Sequence, residues 1–342
     1  MRFALLLLSL LLPLPALGQA PPVLALEEFA GLKPEDRPQA ARFLAMNLPR
    51  VFAVGPNGAF GWQSRGGTPE EVEQGALQSC QRRSQGAPCR VAVRDLAVEL
   101  PGREWRPTPP PAQPAIGGGG WEVVPDANFL WWGPAAGRGV LLFGHGRSPG
   151  GADSRGNQPQ NWTRHFNNAG YDIWRFDRHP GSDDALRAAG WLRTALVELR
   201  ARGYRHVVVA GQSRGGWNAL MVLDRPGLAD VHIAIAPAAH GDTGSPNHLR
   251  QNDELRSIVA GAAGAARARV AVANFRNDGY DADPDRRAVL LHELGAKSAG
   301  FLFIDRPERP VGHGGGGSAD FSFRFGPCLL RFATAPTPPT GC

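Results

Sequence analysis

From residue 121 onward, short apolar runs alternate with amphipathic segments of helical length. The runs are continuous and rich in Val, Ile, Phe and Ala, as expected for strands buried on both faces. This alternation predicts an α/β fold built on a doubly wound, mostly parallel sheet. The predicted strands lie in RGVLLFGHG, YDIWRFDR, RHVVVAG, DVHIAIAP, RVAVANF and AGFLFID, and predicted helices lie in NWTRHFNNAG, DDALRAAGWLRTALVELRARG, DPDRRAVLLHELGAK and SFRFGPCLLRFA.

Residues 21–100 have a different pattern. Asn57 and Gly58 separate two apolar runs, which predicts a β-hairpin. Thr68, with Glu71 three positions later, predicts a capped helix, and the segment CRVAVRDLAVEL then alternates like a half-buried strand. We therefore expect a small ββαβ module over residues 21–100.

The segment 101–120, PGREWRPTPPPAQPAIGGGG, is dominated by Pro and Gly. Because this composition cannot form a core, it predicts a linker. The linker would separate the ββαβ module from a larger domain at 121–336, followed by a C-terminal tail at 337–342. A chain of 342 residues is long enough for one large domain and one small domain.

The chain begins with MRFALLLLSLLLPLPALGQA, in which Arg2 precedes an almost unbroken apolar run. The run is short, interrupted by Pro and followed by small residues, which is typical of a cleaved export signal. We expect residues 1–20 to be a signal peptide and the mature protein to be periplasmic or secreted, with no membrane span after cleavage. A retained membrane anchor is the alternative.

Export changes the interpretation of the four cysteines, because disulfides persist in oxidising compartments. Four cysteines allow three pairings, of which the two local ones, Cys80 with Cys89 and Cys328 with Cys342, are favoured. No Cys/His spacing typical of a zinc site occurs, so no metal is expected. The formal charge is +6, but the basic residues are scattered, which predicts a basic surface rather than a nucleic-acid partner.

The segment GQSRG places Ser213 between Gly211 and Gly215, where a predicted strand turns into a predicted helix. In that context G-x-S-x-G is typical of a serine nucleophile held on a strained turn. The two glycines would be required because side chains there would collide where strand and helix approach each other. An ordinary tight turn that contains Ser is the alternative.

A serine nucleophile needs a general base. His313 follows the last predicted strand in the Gly-rich segment ERPVGHGGGG, where a loop can bring an imidazole over the serine. His206 and His232 lie in predicted strands and His292 lies in a predicted helix, so a structural role is favoured for these three. His313 is therefore the candidate base.

An acid should orient that imidazole, and Asp278 is the best candidate because it follows a predicted strand directly. Asp281 and Asp242 stay open as alternatives, whereas Asp283 before a Pro is expected to cap the next helix.

The tetrahedral intermediate needs two backbone N–H donors, and those of Arg214 and Arg147 are the candidates. Arg214 follows the nucleophile, and Arg147 follows Gly144 and Gly146, which allow the backbone to come close.

The motifs FGHGR, GQSRGG, NFRND and VGHGG occur in an order and spacing that resemble α/β-hydrolase serine hydrolases, in the style of dienelactone-hydrolase-like and esterase-like members. The resemblance covers residues 121–336. It implies Ser213 as nucleophile, His313 as base, Asp278 as acid and an oxyanion hole from Arg147 and Arg214, with no cofactor. Dienelactone hydrolases carry Cys at the nucleophile, so their substrate does not transfer.

The expected function is an exported serine hydrolase that cleaves small or polymeric carboxylic esters through an acyl-enzyme. A peptidase or amidase on the same scaffold is the first alternative, and a non-catalytic binding protein is the second. Only the segment 240–268 separates two of the predicted strands, so we expect little lid over the site.

Overall fold

The computed structural model describes residues 20–112, 116–147 and 152–342. The predicted signal peptide therefore lies outside the described residues except for Ala20. The strands are β1 Arg50–Val54, β2 Phe60–Ser64, β3 Arg90–Arg94, β4 Ala97–Val98, β5 Ile116–Gly117, β6 Trp121–Pro125, β7 Gly139–Gly144, β8 Tyr171–Arg178, β9 Val207–Gln212, β10 Val231–Ile235, β11 Arg269–Asn274 and β12 Gly300–Asp305.

Helices connect these strands, together with several short 3-10 turns. They are α1 Leu26–Phe29, α2 Arg37–Leu44, α3 Pro69–Arg83, α4 Gly133–Ala136, α5 Thr163–Asn168, α6 Ala185–Ala201, α7 Arg214–Met221, α8 Gln251–Gly261, α9 Pro284–Lys297 and α10 Ala319–Thr334. No helix in the described ranges is both long and apolar enough to cross a bilayer.

The N-terminal module is a four-stranded antiparallel sheet in the order β2-β1-β3-β4, with α3 packed on it. The predicted hairpin is present, because β1 and β2 pair across the Asn57-Gly58 turn, where both residues have positive φ. Thr68 and Glu71 form both hydrogen bonds of the predicted capping box at the start of α3. The ββαβ order is confirmed, and α1 and α2, which the sequence pattern did not reveal, precede it.

The larger sheet has eight strands in the order β12-β11-β10-β9-β7-β8-β6-β5. The six strands from β12 to β8 are parallel, and β6 and β5 add an antiparallel edge. Side chains of α5 and α10 pack on one face, where Leu141 and Val208 lie. Helices α6, α7, α8 and α9 pack on the other face. The predicted doubly wound α/β architecture is confirmed.

Both cysteine pairs favoured by the sequence are within bonding distance. The Cys80 and Cys89 sulfurs are 2.07 Å apart, which joins the end of α3 to the start of β3. The Cys328 and Cys342 sulfurs are 2.14 Å apart, which joins the C-terminal segment to α10.

The segment 101–120 makes more contacts than its composition suggests. Trp105 forms an isolated β-bridge with Val98 of the small sheet. Ile116 is buried at the edge of the large sheet, where β5 pairs with β6. The Pro- and Gly-rich segment therefore adds backbone to both sheets, and the Ile116 side chain within it packs in the same core cluster as α6.

The module and the larger domain meet at a buried polar network centred on Arg164 of α5. Its Nε donates to Asn47 Oδ1 at 3.0 Å, Nη1 to the Asn128 carbonyl at 2.7 Å and Nη2 to Gln158 Oε1 at 2.9 Å. The guanidinium carbon also lies 3.7 Å from the centre of the Phe129 ring. Buried polar groups are costly unless they are hydrogen-bonded, so this network favours one fixed arrangement of the two sheets.

We predict that Arg164→Leu lowers the free energy of unfolding by at least about 2 kcal/mol, because Asn47 and Gln158 lose a buried partner. Urea unfolding followed by circular dichroism measures the change. Arg256→Leu, at an exposed position on α8, is the control and should change stability by less than about 0.5 kcal/mol. Equal stability of the two variants would contradict the prediction.

Candidate active site

Ser213 lies between β9 and α7 in a backbone conformation that residues other than glycine rarely adopt. Its φ is 53° and its ψ is −118°. The residue is 8% exposed, its N–H donates to the Ile235 carbonyl at 2.9 Å, and its carbonyl accepts from the Trp217 N–H at 2.9 Å. Such strain persists only where the surrounding structure enforces it, and it turns the serine away from the regular course of strand and helix.

Glycines enforce this turn by allowing β7, β9 and α7 to approach closely. A Cβ on Gly215 would collide with the Gly144 carbonyl, and a Cβ on Gly211 would collide with the backbone of Gly215. The structure thus agrees with the expectation that side chains at Gly211 and Gly215 would collide where strand and helix approach each other.

The chain has the α/β-hydrolase fold.

Asp278 and His313 form a close pair at the carboxyl end of the sheet. His313 Nδ1 lies 2.9 Å and 3.0 Å from the two carboxylate oxygens of Asp278, and the two residues lie in the loops after β11 and β12. A carboxylate can only accept, so Nδ1 carries a proton, and in the neutral imidazole this arrangement leaves the lone pair on Nε2. His313 Nε2 is buried and has no hydrogen-bond partner among the described residues.

The other candidate acids have different partners. Asp281 forms an ion pair with buried Arg287 at 3.2 Å, and burial raises the pKa of Asp281 despite that charge. Asp242 is exposed and accepts from the Gly244 N–H at 3.1 Å. Asp283 caps α9 through the Arg286 N–H, as the sequence predicted. Of the aspartates considered from the sequence, Asp278 is the one paired with His313.

The other histidines considered from the sequence have structural contacts. His206 Nδ1 lies 3.0 Å from the Tyr171 hydroxyl. His232 Nδ1 donates to the Ala219 carbonyl at 2.7 Å, and burial lowers its pKa to about 4. His292 packs against Phe303 with ring centres 5.4 Å apart.

Gln212 connects the serine to the histidine loop. Gln212 immediately precedes Ser213 in the chain, and its Nε2 donates to the His313 carbonyl at 3.2 Å. Ser213 Oγ and His313 Nε2 themselves are not hydrogen-bonded in this structure. Catalytic hydrogen bonds are often long in unliganded hydrolases and tighten when substrate binds. The structure therefore brings Asp278 and His313 into contact and holds Ser213 beside their loop.

Tyr280 is a site residue that sequence reasoning missed. Its ring stacks on the His313 imidazole with centres 4.0 Å apart, and its N–H donates to Asp278 Oδ1 at 2.8 Å. Both contacts restrict the pair to one geometry. The aromatic residue in the segment NDGYD, two positions after Asp278, was the available signal.

His145 was also missed, and it fixes the loop after β7. Its Nδ1 donates to the Gly146 carbonyl at 2.7 Å, and its Nε2 accepts from the Arg178 N–H at 3.0 Å. Burial and the nearby Arg178 charge lower the pKa of His145 to about 4, so the imidazole is neutral. A Cβ on Gly146 would lie 3.1 Å from the Ser213 Cβ, which shows how closely this loop approaches the serine.

Both candidate oxyanion residues lie next to the point where the loop after β7 approaches Ser213. Arg214 is the first residue of α7, and Arg147 follows Gly146. They line a common cavity. Backbone N–H groups at a helix N-terminus favour negative charge, so the position of Arg214 suits the stabilisation of an oxyanion.

Comparison with known proteins gives only distant similarity. No protein-family model matches the chain. No curated protein sequence matches it either. Among solved structures the chain is similar to a puromycin hydrolase, at 12% identity and a TM-score of 0.48, over 73% of this chain and 42% of that one.

Two further solved structures are similar at the same level. An acylaminoacyl peptidase of Pyrococcus horikoshii has 13% identity and a TM-score of 0.46, over 73% of this chain and 47% of that one. Est1E from Butyrivibrio proteoclasticus has 12% identity and a TM-score of 0.44, over 63% of this chain and 96% of that one. The chain thus spans less than half the length of the two peptide- or puromycin-cleaving enzymes.

We predict that Gly215→Ala lowers the free energy of unfolding by at least about 2 kcal/mol, because its methyl group would meet the Gly144 backbone. Gly190→Ala in α6 is the matched control, since a Cβ there meets nothing within 4 Å. Ala is the better helix former, so the control should gain up to about 1 kcal/mol. Denaturant unfolding of both variants measures the difference, and a stable Gly215→Ala protein would argue against the close approach.

Proposed function

We propose that the protein is a serine hydrolase that cleaves carboxylic ester bonds, with Ser213 as nucleophile, His313 as general base and Asp278 as the acid that orients it. The observation that carries the proposal is the Asp278–His313 pair, which in the neutral imidazole places the proton on Nδ1 and leaves Nε2 free to accept, in a loop that Gln212 joins to the strained turn at Ser213. A nucleophile, a base and an orienting acid are the parts that acyl transfer through serine requires.

The proposed reaction follows from these roles. Ser213 Oγ attacks the ester carbonyl carbon while His313 Nε2 takes the hydroxyl proton, and the Asp278 carboxylate stabilises the imidazolium that forms. The backbone N–H groups of Arg147 and Arg214 would bind the oxyanion. The intermediate then expels the alcohol, which takes the proton from His313, and water releases the acid from the acyl-enzyme by the same steps.

Tyr280 and His145 would act as positioning residues in this reaction. The Tyr280 ring covers one face of the imidazole, and its N–H adds a second hydrogen bond to the Asp278 carboxylate. His145 holds the backbone that leads to Arg147. Preorganised donors of this kind stabilise developing charge without reorganisation during the reaction.

We also propose that the protein is exported and that residues 1–20 are removed. The two cysteine pairs at bonding distance support this, because such bonds persist in oxidising compartments. N-terminal sequencing of protein recovered from the periplasm or medium would test it, and an intact Met1 would contradict it.

A panel of substrates tests the ester assignment. p-Nitrophenyl esters of acetic, butyric and octanoic acid should be cleaved with a higher kcat/KM than aminoacyl p-nitroanilides. Higher rates on the anilides would favour a peptidase or amidase. Absence of turnover on both sets would favour a binding protein on this scaffold.

Ser213→Ala should lower kcat on p-nitrophenyl butyrate by at least about a thousandfold, because the attacking oxygen is removed. The change creates no core cavity, so circular dichroism and the unfolding midpoint should match those of the parent. Near-parental turnover by the folded variant would rule out Ser213 as nucleophile.

Asp278→Asn should lower kcat by about a thousandfold or more, since Asn cannot stabilise the imidazolium and favours the wrong tautomer. Asp242→Asn makes the same chemical change at an exposed aspartate and should leave kcat within about twofold. Steady-state kinetics on one ester compare the two variants. If Asp242→Asn proved the crippling change, the acid would have to be reassigned.

A further inference from the structure

Arg214, the residue after Ser213, carries a buried guanidinium without a matching acid. Its side chain donates from Nη2 to the Ala239 carbonyl at 2.6 Å and the residue is 6% exposed, while its buried Nε has no hydrogen-bond partner within the described ranges. No ion pair joins Arg214 to a carboxylate in the part of the chain that the structure describes. Residues 1–19, 113–115 and 148–151 contain no Asp or Glu, so they cannot supply one.

Other buried arginines in the protein are better compensated. Arg178 forms an ion pair with Asp183 at 3.0 Å, and Arg287 forms one with Asp281 at 3.2 Å. Arg164 makes three hydrogen bonds in its network. A buried charge without such partners is costly, so a bound anion would offset a cost that Arg214 leaves uncompensated.

Arg214 faces a cavity of about 270 Å³ that is also lined by Arg147 and Arg187. Two carboxylates, Asp183 and Asp184, line it as well, but both are engaged. Asp183 is paired with Arg178, and Asp184 caps α6 by accepting from the Arg187 N–H at 3.0 Å. With Arg178 included, four guanidinium groups face two carboxylates, so the cavity has a positive potential.

The cavity adjoins the proposed reacting centre. Arg214 and Arg147 both belong to it, and they are the residues whose N–H groups would bind the oxyanion. Gly146, next to Arg147, approaches the Ser213 Cβ closely. A ligand held at Ser213 could therefore extend a short chain into the cavity.

We propose that this cavity is an anion subsite, in which Arg214 and Arg187 select esters whose acid or alcohol part carries an ionised carboxylate in addition to the ester group. This inference rests on the proposed serine hydrolase function and adds a substrate class to it. Guanidinium groups bind carboxylates through paired, charge-assisted hydrogen bonds, and Arg stays protonated at all working pH values. The ligand would supply the negative charge that the buried Arg214 lacks.

Two matched pairs of esters test the inference. p-Nitrophenyl hydrogen glutarate and p-nitrophenyl pentanoate differ by an ionised carboxylate on the acid part. 4-Carboxyphenyl butyrate and 4-carbamoylphenyl butyrate differ in the same way on the alcohol part. In at least one pair the anionic ester should have a kcat/KM about tenfold higher or more, and added salt should reduce that preference. A preference below about twofold in both pairs would overturn the anion subsite.

Substitutions test whether the preference for anionic esters arises in the cavity. Arg187→Gln should reduce the anionic-to-neutral ratio by about threefold or more, and Arg214→Gln should abolish it. Arg193 lies on α6, as Arg187 does, and forms an ion pair with Asp224. Arg193→Gln removes the same charge away from the cavity, so it should leave the ratio unchanged. Because Arg214 is buried, its variant is compared only after its unfolding midpoint is measured. An unchanged ratio in the exposed Arg187→Gln variant, together with an unchanged ratio in folded Arg214→Gln, would also overturn the inference.

A binding measurement separates failure of the subsite from failure of the proposed catalysis. Glutarate should bind to Ser213→Ala protein in isothermal titration calorimetry, more weakly to the variant that also carries Arg187→Gln, and pentanamide should not bind measurably. Glutarate binding without hydrolysis of any ester would reject the serine hydrolase function while retaining the anion site. Hydrolysis of neutral esters without glutarate binding would reject the anion site and retain the hydrolase.

Discussion

The close crossing of β7, β9 and α7 at three glycines is the constraint on which the candidate site depends. A Cβ added to Gly211 or Gly215 would collide with backbone atoms, and a Cβ added to Gly144 would lie only 3.1 Å from the Gly215 Cα. That approach holds Ser213 at a φ of 53° and places the N-terminus of α7 directly after it. The parallel order of the sheet then brings the loops after β11 and β12, with Asp278 and His313, to the same edge. Strain at one residue is maintained by packing across three elements.

The features that could be predicted from the sequence are those set by local pattern. Apolar runs alternating with amphipathic helices predicted the six strands and a mostly parallel sheet, and the strand–turn–helix context distinguished Ser213 from other serines. The Gly-rich loop around His313 and the position of Asp278 directly after a strand pointed to the pair that the structure brings into contact. The two local cysteine pairings were also recognisable, because short separations were favoured.

The features that could not be predicted depend on contacts distant in sequence. Arg164 meets Asn47 across 117 positions, and no periodicity in either segment indicates that contact. The strand at Ile116 lies within a Pro- and Gly-rich segment and becomes visible only when β6 pairs with it. The stacking of Tyr280 on His313 and the hydrogen bond that the Arg178 N–H donates to His145 likewise require the fold to be known. Choosing Asp278 over Asp281 also required the structure, because the ion pair between Asp281 and Arg287 cannot be inferred from their spacing.

The proposed function requires Ser213 to be an activated nucleophile, and covalent labelling with a fluorophosphonate measures this most directly. Trypsin releases Ser213 in the peptide HVVVAGQSR, residues 206–214, in which it is the only serine, so mass spectrometry can locate the adduct without ambiguity. We predict one phosphonyl adduct, on this peptide, with labelling slowed strongly by His313→Ala and little by His292→Ala. An unlabelled protein, an adduct on another serine, or equal labelling rates in the two histidine variants would contradict it.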